Sequence, residues 1–256
     1  ERAIVHEMPG TTRDAVDISA TYKGQPLILI DTAGIRRRGH ITPGVEQYSA
    51  LRTFQAIQRS NVSILVLDAT EMVTAQDTHV AGDVSEAYSG LIIAINKWDL
   101  AREHGANPTQ ALGLVRRRFK WAPYAPVRFT TAITGDGVRE LLEVALEIHQ
   151  ERQRHVGQGA LNRLLIEAMA THPPPSRGSR RLRILKVVQS STNPPTFVFH
   201  VNDPKLLHFS YERFLQNTLR SALGFRGSLL RFEFRKVARR WGNPEASGLP
   251  ANENPS

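Results

Sequence analysis

The stretch Leu27-Ile-Leu-Ile-Asp-Thr-Ala-Gly34 decides how the first part of the chain folds. Four consecutive apolar residues are too few for a helix, and they predict a strand that is buried on both faces. Asp31 then places a carboxylate at the carboxyl end of that strand, which is the edge where open α/β sheets bind ligands. Because strands often end in polar turns of this kind, the stretch alone does not establish a site.

Composition sets the limits of the interpretation. The chain has 256 residues, of which 41% are hydrophobic, and this length suits one large domain or two ordinary ones. No apolar run approaches the roughly 18 residues of a membrane span, so we expect no membrane partner. The sequence has no cysteine, which excludes disulfides and thiolate metal sites within it and favours a reducing, cytoplasmic setting.

The positive charge is confined to the second part of the chain. Residues 1–156 carry 18 basic and 18 acidic side chains, whereas residues 157–256 carry 15 basic and 6 acidic ones, which accounts for the net charge of +9. This asymmetry predicts two domains with different partners, and a phosphate backbone is the expected partner of the basic one. A basic surface that is merely solvated is the alternative.

Strand and helix patterns alternate through the first domain. Residues 16–22 and 26–30 predict a hairpin-like pair of strands. Apolar runs at 63–68, 91–95 and 126–130 alternate with helical patterns at 45–59, 76–88, 109–120 and 138–149. Alternation of this kind predicts an α/β fold with a mostly parallel sheet and helices on both faces.

The pattern changes in the second part of the chain. A helix is predicted at 161–169, a turn-rich linker at 171–179, strands at 182–188 and 196–201, a helix at 211–223 and a strand at 228–234. This order predicts a small α+β domain with its helices on one face of the sheet. We therefore expect domains at 1–155 and 156–236, followed by a disordered tail at 237–256.

The motif Asn96-Lys97-x-Asp99 follows the buried run at 91–95. A carboxylate held there can accept hydrogen bonds from the ring N–H and the amino group of guanine, which adenine does not offer. Asn96 can tie neighbouring loops together, and the aliphatic part of Lys97 can lie over a base. A solvated turn at the end of a strand is the alternative interpretation.

Four ordered motifs resemble those of the GTPases of the Era/TrmE/Der group. They are Pro9-Gly-Thr-Thr-Arg-Asp14, Asp31-Thr-Ala-Gly34, Asn96-Lys-Trp-Asp99 and Thr131-Ala-Ile-Thr-Gly135. The second part narrows the resemblance to the KH-like carboxyl-terminal domain of the Der (EngA) family, through Tyr211-Glu-Arg-Phe-Leu-Gln-Asn217, Leu219-Arg220, Phe225-Arg226-Gly227 and Phe232-Glu-Phe-Arg235. The resemblance implies a P-loop NTPase-like sheet followed by a KH-like domain.

The resemblance also implies roles for individual residues toward GTP or GDP. Thr12 and Asp31 would hold Mg²⁺, and Gly34 would contact the γ-phosphate, which makes these three the implied catalytic residues. Thr32 and Ala33 would belong to the same turn, and Thr11 would lie near a bound K⁺. Asn96, Lys97 and Asp99 would recognise guanine, and Thr131 with Ala132 would close over it.

The sequence departs from the family in one serious respect, because it contains no Gly-x-x-x-x-Gly-Lys-Ser/Thr phosphate loop. We therefore expect a fragment that lacks the first G domain and the start of the second one, and that binds nucleotide poorly. A degenerate GTPase scaffold is the alternative. The family implies assembly of the large ribosomal subunit, with ribosomal RNA and the missing first G domain as partners, and a monomer. The rival function is a nucleotide-independent RNA- or protein-binding module.

Aromatic residues lie among the arginines of the second part, at strand and helix spacing, so we expect most of them in the core rather than stacked on bases. Gly224-Phe-Arg-Gly227 has the Gly-x-x-Gly pattern of nucleic-acid-binding KH domains. It falls between a helix and a strand instead of between two helices, so we do not expect it to clamp a single strand.

Overall fold

The computed structural model describes the backbone of residues 4–6, 17–30 and 45–237, and the side chains of 17–30 and 51–237. The implied nucleotide residues Thr11, Thr12, Asp31, Thr32, Ala33 and Gly34 lie outside the described residues. The tail expected from residue 237 also lies outside them from 238 onward.

The predicted hairpin is present as part of a small antiparallel sheet. Its strands β1 (Ile4–His6), β2 (Asp17–Tyr22) and β3 (Gln25–Ile30) lie in that order. The turn at Lys23 and Gly24 has positive φ at both positions, 49° and 76°, and this backbone matches the twist of a two-residue hairpin.

The prediction that residues 27–30 are buried on both faces is wrong. Ile28 is 66% exposed and Leu29 is 42% exposed. Among the described strands, β3 pairs only with β2, so it is an edge strand and not the centre of the parallel sheet. An apolar run predicts a strand, but it does not determine what covers the faces of that strand.

A parallel sheet forms the centre of the first domain, as predicted. Its strands are β4 (Val62–Asp68), β5 (Gly90–Asn96) and β6 (Val127–Phe129), in that order. The side chains of residues 91–95 on β5 are at most 1% exposed. Leu91, Ile93 and Ile95 join one core and Ile92 joins another, so both faces of this sheet are covered.

Five helices accompany the two sheets in the described part of the first domain. They are α1 (Val45–Arg59), α2 (Ala75–Glu86), α3 (Trp98–Glu103), α4 (Pro108–Arg118) and α5 (Val138–Gln153). Thr74 begins α2 with a capping box, because its hydroxyl accepts from Asp77 N–H and the Asp77 carboxylate accepts from Thr74 N–H. The sequence did not predict α3, which has less than two turns and no apolar period of its own.

The second domain follows the predicted order of helix, two strands, helix and strand. Its elements are α6 (Gln158–Thr171), β7 (Ser176–Arg177), β8 (Arg180–Arg181), β9 (Ile184–Thr192), β10 (Pro195–Val201), a 3-10 turn (Pro204–Leu206), α7 (Phe209–Leu223) and β11 (Arg231–Lys236). β10 lies centrally, antiparallel to β9 and parallel to β11. The short strands β7 and β8 occupy the end of the predicted linker and the residues just after it.

The aromatic residues of this domain are mostly in its core, as predicted. Phe197, Phe199 and Tyr211 are at most 2% exposed. Phe209 is the exception, at 69% exposed. None of the described helices combines the length and the hydropathy needed to cross a bilayer.

The loop at 224–227 joins the two domains at the amino end of β5. Gly227 N–H donates to Tyr124 O (3.0 Å), and Gly227 O accepts from Leu91 N–H (2.8 Å). Gly227 has φ +70°, and a Cβ there would lie 2.2 Å from Cδ1 of Ile148. Because only glycine fits this conformation and this space, the Gly-x-x-Gly pattern here serves packing between domains.

Candidate functional site

Polar side chains collect where the parallel strands end. Asp68 at the end of β4 is in register with Asn96 at the end of β5. Thr130 follows β6 directly, and its N–H donates to Ile95 O (2.8 Å). These residues therefore meet at the carboxyl edge of the sheet, where ligand sites of α/β folds are found.

Asn96 connects this edge to the loop after β6. Its Oδ1 accepts from the Thr130 hydroxyl (3.2 Å) and from Ala132 N–H (3.0 Å). Trp98 N–H in turn donates to Thr130 O (3.2 Å). Asn96 therefore ties neighbouring loops together, as the sequence predicted, and fixes the start of α3 beside the loop after β6.

Lys97 is held by Asp68, a residue that no sequence motif indicated. Its Nζ lies 2.6 Å from Asp68 Oδ2, and Thr70 donates to Asp68 Oδ1 from its N–H and its hydroxyl. Lys97 itself has left-handed backbone angles, φ 58° and ψ 36°, which cost a non-glycine residue about 1–2 kcal/mol. Strain of this kind is concentrated at functional sites.

The carboxyl group of Asp68 is ionised at neutral pH. Burial disfavours the charged form, but hydrogen bonds from Lys97 and Thr70 outweigh it and lower the pKa from 3.8 to about 2. Its side chain is only 7% exposed. Its position in the sequence could have indicated this residue, because Asp68 ends a buried strand as Asp31 is predicted to do.

Asp99 lies in the first turn of α3 and is half-buried. Within the described residues, its carboxylate forms no hydrogen bond and no ion pair. Trp98 beside it is anchored against Phe129, with ring centroids 4.3 Å apart. A carboxylate on a fixed turn with all its acceptor sites free can receive donors from a ligand.

The loop at 131–136 forms the other wall of this edge. Thr131 is buried, its N–H donates to Asp136 O (2.9 Å), and its O accepts from Gly135 N–H (2.9 Å). Ala132 is exposed, but its N–H is already bonded to Asn96. A base that approaches this loop would therefore have to share one of these donors or displace its partner.

Gly137 closes the same loop and starts α5. Its φ is +74°, and a Cβ there would lie 2.2 Å from Phe129 O, a backbone atom. No side chain fits at this position without moving the loop or β6. Among residues with described side chains, no cluster of three or more His, Cys, Asp or Glu could hold a metal ion.

Family models match both domains. Residues 1–97 match "50S ribosome-binding GTPase", and residues 155–235 match "KH-domain-like of EngA bacterial GTPase enzymes, C-terminal". The chain is 49% identical over 241 residues to GTPase Der of Thermomicrobium roseum, an alignment that covers 93% of this chain and 52% of the relative. The chain belongs to the Der family of GTPases. Membership confirms the family and the fold class that the motifs indicated.

A second relative agrees with this assignment. The Der GTPase of Chloroflexus aggregans is 46% identical over 241 residues, covering 94% of this chain and 54% of the relative. The chain thus spans about half the length of the Der relatives it matches. A crystal structure of Era from Aquifex aeolicus bound to GDP.AlF4- superposes with a TM-score of 0.44 at 17% identity, covering 93% of this chain and 86% of Era.

Proposed function

We propose that this chain is the guanine-reading and KH-like part of a GTP-binding and GTP-hydrolysing factor that assembles the large ribosomal subunit. The proposal is supported by membership of the Der family and by the description of the matched model as a 50S ribosome-binding GTPase. The observation that carries it is the arrangement of Asn96 and Asp99. The first ties the edge together, and the second has no partner among the described residues.

The base would be recognised at this edge. Asp99 would accept hydrogen bonds from the ring N–H and the amino group of guanine, and a site built for these donors rejects a base that lacks them. Lys97, held by Asp68, would lay its aliphatic part over the base. Thr131 and Ala132 would close the other side.

The phosphates would be bound by the segments at 11–12 and 31–34. There Thr12 and Asp31 would hold Mg²⁺, which when bound neutralises charge on the phosphates, and Gly34 would contact the γ-phosphate. Thr11, Thr32 and Ala33 would complete this surface, whereas the K⁺ expected near Thr11 gains no support. Because this sequence has no Gly-Lys phosphate loop, we expect its own affinity for nucleotide to be low.

The division of labour follows the two domains. We place the boundary near 155, between the end of α5 at Gln153 and the start of α6 at Gln158. The domain at 156–236 would contact ribosomal RNA and, in the longer Der proteins, the other G domain. A monomer located in the cytoplasm is the expected form.

Guanine recognition is tested by thermal unfolding of the chain in millimolar GDP or ADP. A ligand that binds only the folded state raises the unfolding midpoint even when its affinity is low. We expect GDP to raise the midpoint and ADP to leave it unchanged. Equal responses to both would contradict guanine recognition and favour the rival, a nucleotide-independent binding module on a GTPase scaffold.

Asp99→Asn sharpens this test. An amide presents a donor where the carboxylate accepts, so the variant should lose the response to GDP and gain one to XDP, whose base carries a keto group at that position. Glu103→Gln, at the end of the same helix, is the matched control and should keep the preference for GDP. Affinity of the unmodified chain at the micromolar level or tighter would contradict the expected deficiency while leaving guanine recognition intact.

A further inference from the structure

A cleft of about 500 Å³ lies between the two domains, away from the edge described above. Four arginines line it: Arg116 from α4, Arg128 from β6, Arg220 from α7 and Arg226 from the joining loop. We call this the arginine cleft. Among the described residues, its remaining lining is apolar or glycine except for Tyr124, so none of them contributes a carboxylate to its wall.

The charges of the arginine cleft are largely uncompensated. Arg116 donates to Ala125 O (2.9 Å), Arg128 to Val127 O (2.9 Å) and Arg220 to Ser228 O (2.8 Å). Carbonyl oxygens orient a guanidinium but do not neutralise it. Within the described part of the chain, Arg226 alone of the four has a carboxylate nearby, that of Glu147, at 3.9 Å and with both side chains more than half exposed.

The cleft is also held in shape before any ligand arrives. The Arg220 guanidinium lies over the Tyr124 ring, 4.5 Å from its centroid, and burial lowers the pKa of Arg220. Arg116 reaches the carbonyl of Pro123 as well as that of Ala125. Each guanidinium has five N–H donors, and most of them remain available to a ligand after these bonds.

We infer that the arginine cleft binds the phosphodiester backbone of single-stranded or looped RNA. Arginine matches the geometry of phosphate oxygens, and an anion relieves the mutual repulsion of four cations in one concave surface. The inference rests on the proposed function for its choice of RNA, because it names the surface by which the ribosome-assembly factor holds its RNA. An acidic protein is the other polyanion that could occupy it.

The test measures binding of the full chain to a fluorescent oligouridylate of about 16 nucleotides, the upper end of common site sizes for single-strand binding. The variant is Arg128→Gln with Arg226→Gln, which leaves the packed Arg116 and Arg220 in place. Each lost phosphate contact makes the negative slope of log affinity against log salt less steep by about 0.7, so we expect a slope that is shallower by about 1.4 and roughly tenfold weaker binding.

Arg163→Gln with Arg177→Gln is the matched control, because both arginines are exposed and neither lines the cleft. We expect a smaller change of slope in this control than in the cleft variant. Equal slopes for the two variants would overturn the inference. Should the double variant fold poorly by circular dichroism, Arg226→Gln alone, at an exposed position, should still make the slope shallower by about 0.7.

Two further experiments distinguish failure of the inference about the arginine cleft from failure of the proposed ribosomal role. If poly-glutamate binds as tightly as RNA and loses affinity in the cleft variant, the site belongs to an acidic protein and the inference is wrong. Sedimentation with large ribosomal subunits tests the proposed function itself. If the unmodified chain and the cleft variant co-sediment with the subunits to the same extent, the proposed ribosomal role is supported, and the inference that the arginine cleft binds RNA is wrong. If the unmodified chain does not sediment, the ribosomal role fails.

Discussion

The two ends of β5 are built for opposite purposes. At the carboxyl end, Asn96 is half-buried and its polar bonds position loops around an edge that stays open. At the amino end, Leu91 is fully buried, and its N–H is bonded to Gly227 of the other domain. The same strand thus supplies an accessible polar edge at one end and a sealed joint at the other. The candidate ligand site and the domain contact are therefore separated by the length of one strand.

The largest effect is expected from a substitution that disrupts the loop beside the carboxyl end of β5. Gly137→Ala places a Cβ 2.2 Å from Phe129 O, a backbone atom, at φ +74°. We expect a loss of about 4 kcal/mol in the free energy of unfolding, measured with urea, since overpacking and a left-handed side chain both cost energy. Gly135→Ala, with φ +85° and no atom within 4 Å, should cost only about 1 kcal/mol. Similar losses for both would mean that the loop is free to move.

The next largest effect is expected from a substitution that disrupts the domain contact at the amino end of β5. Gly227→Ala meets Cδ1 and Cγ1 of Ile148 at 2.2 and 2.5 Å, and we expect it to destabilise the chain by about 3 kcal/mol. The cost is lower than at Gly137 because a side chain can yield where a backbone carbonyl cannot. Gly178→Ala, also at positive φ but in open space, is the control for urea denaturation. If the two variants were equally stable, the domains would not be packed at this loop.

A third effect concerns the polar carboxyl end, where Asp68 should make the stability of the fold depend on pH. The Asp68 pKa is about 2 in the folded chain and 3.8 ordinarily, so ionised Asp68 stabilises the fold above pH 4, and this stability is lost as the pH falls toward 2. Asp68→Asn should therefore lower the free energy of unfolding by about 2 kcal/mol at pH 7 and by little at pH 2. Thr70→Val should lose a smaller part of the same pH-dependent stability. A difference that persists unchanged at pH 2 would mean that charge is not the cause.

The smallest effect is expected from Arg220, which also lies at the contact between the two domains. Arg220→Met keeps most of the aliphatic packing but removes the hydrogen bond to Ser228 O and the contact with the Tyr124 ring. We expect a loss of about 1.5 kcal/mol in calorimetry or urea denaturation. Arg213→Met, on the exposed face of the same helix, should change the stability by less than about 0.5 kcal/mol. A loss at Arg220 no larger than at Arg213 would show that the cation does not stabilise the joint.

The sequence predicted element types better than their surroundings. Residues 27–30 and 91–95 are both short apolar runs, yet Ile28 is 66% exposed and Ile92 is fully buried. Local pattern determines that each run forms a strand, whereas the coverage of its faces depends on distant segments. The order of elements in both domains was recoverable for the same reason, since periodicity and turn residues are local.

The candidate site was predicted in part. Asn96, Lys97 and Asp99 form a compact motif that a reader of sequence can recognise, and the tie made by Asn96 followed from its chemistry. Asp68 was not recognised, because its pairing with Lys97 depends on the alignment of β4 with β5 and on a left-handed backbone at Lys97. Gly227 was quoted for its pattern, but its packing against Ile148 depends on a contact between residues about eighty positions apart.

The hydrogen bond between Leu91 N–H and Gly227 O has a consequence for experiment. A backbone amide exchanges with deuterium when its bond opens, and this single amide is protected by the other domain and not by its own sheet. Leu91 is therefore a native reporter of domain separation. Ile93 N–H donates to Pro126 O inside the first domain and is the internal reference. Faster exchange at Leu91 than at Ile93 would report how often the domains separate, without any added label.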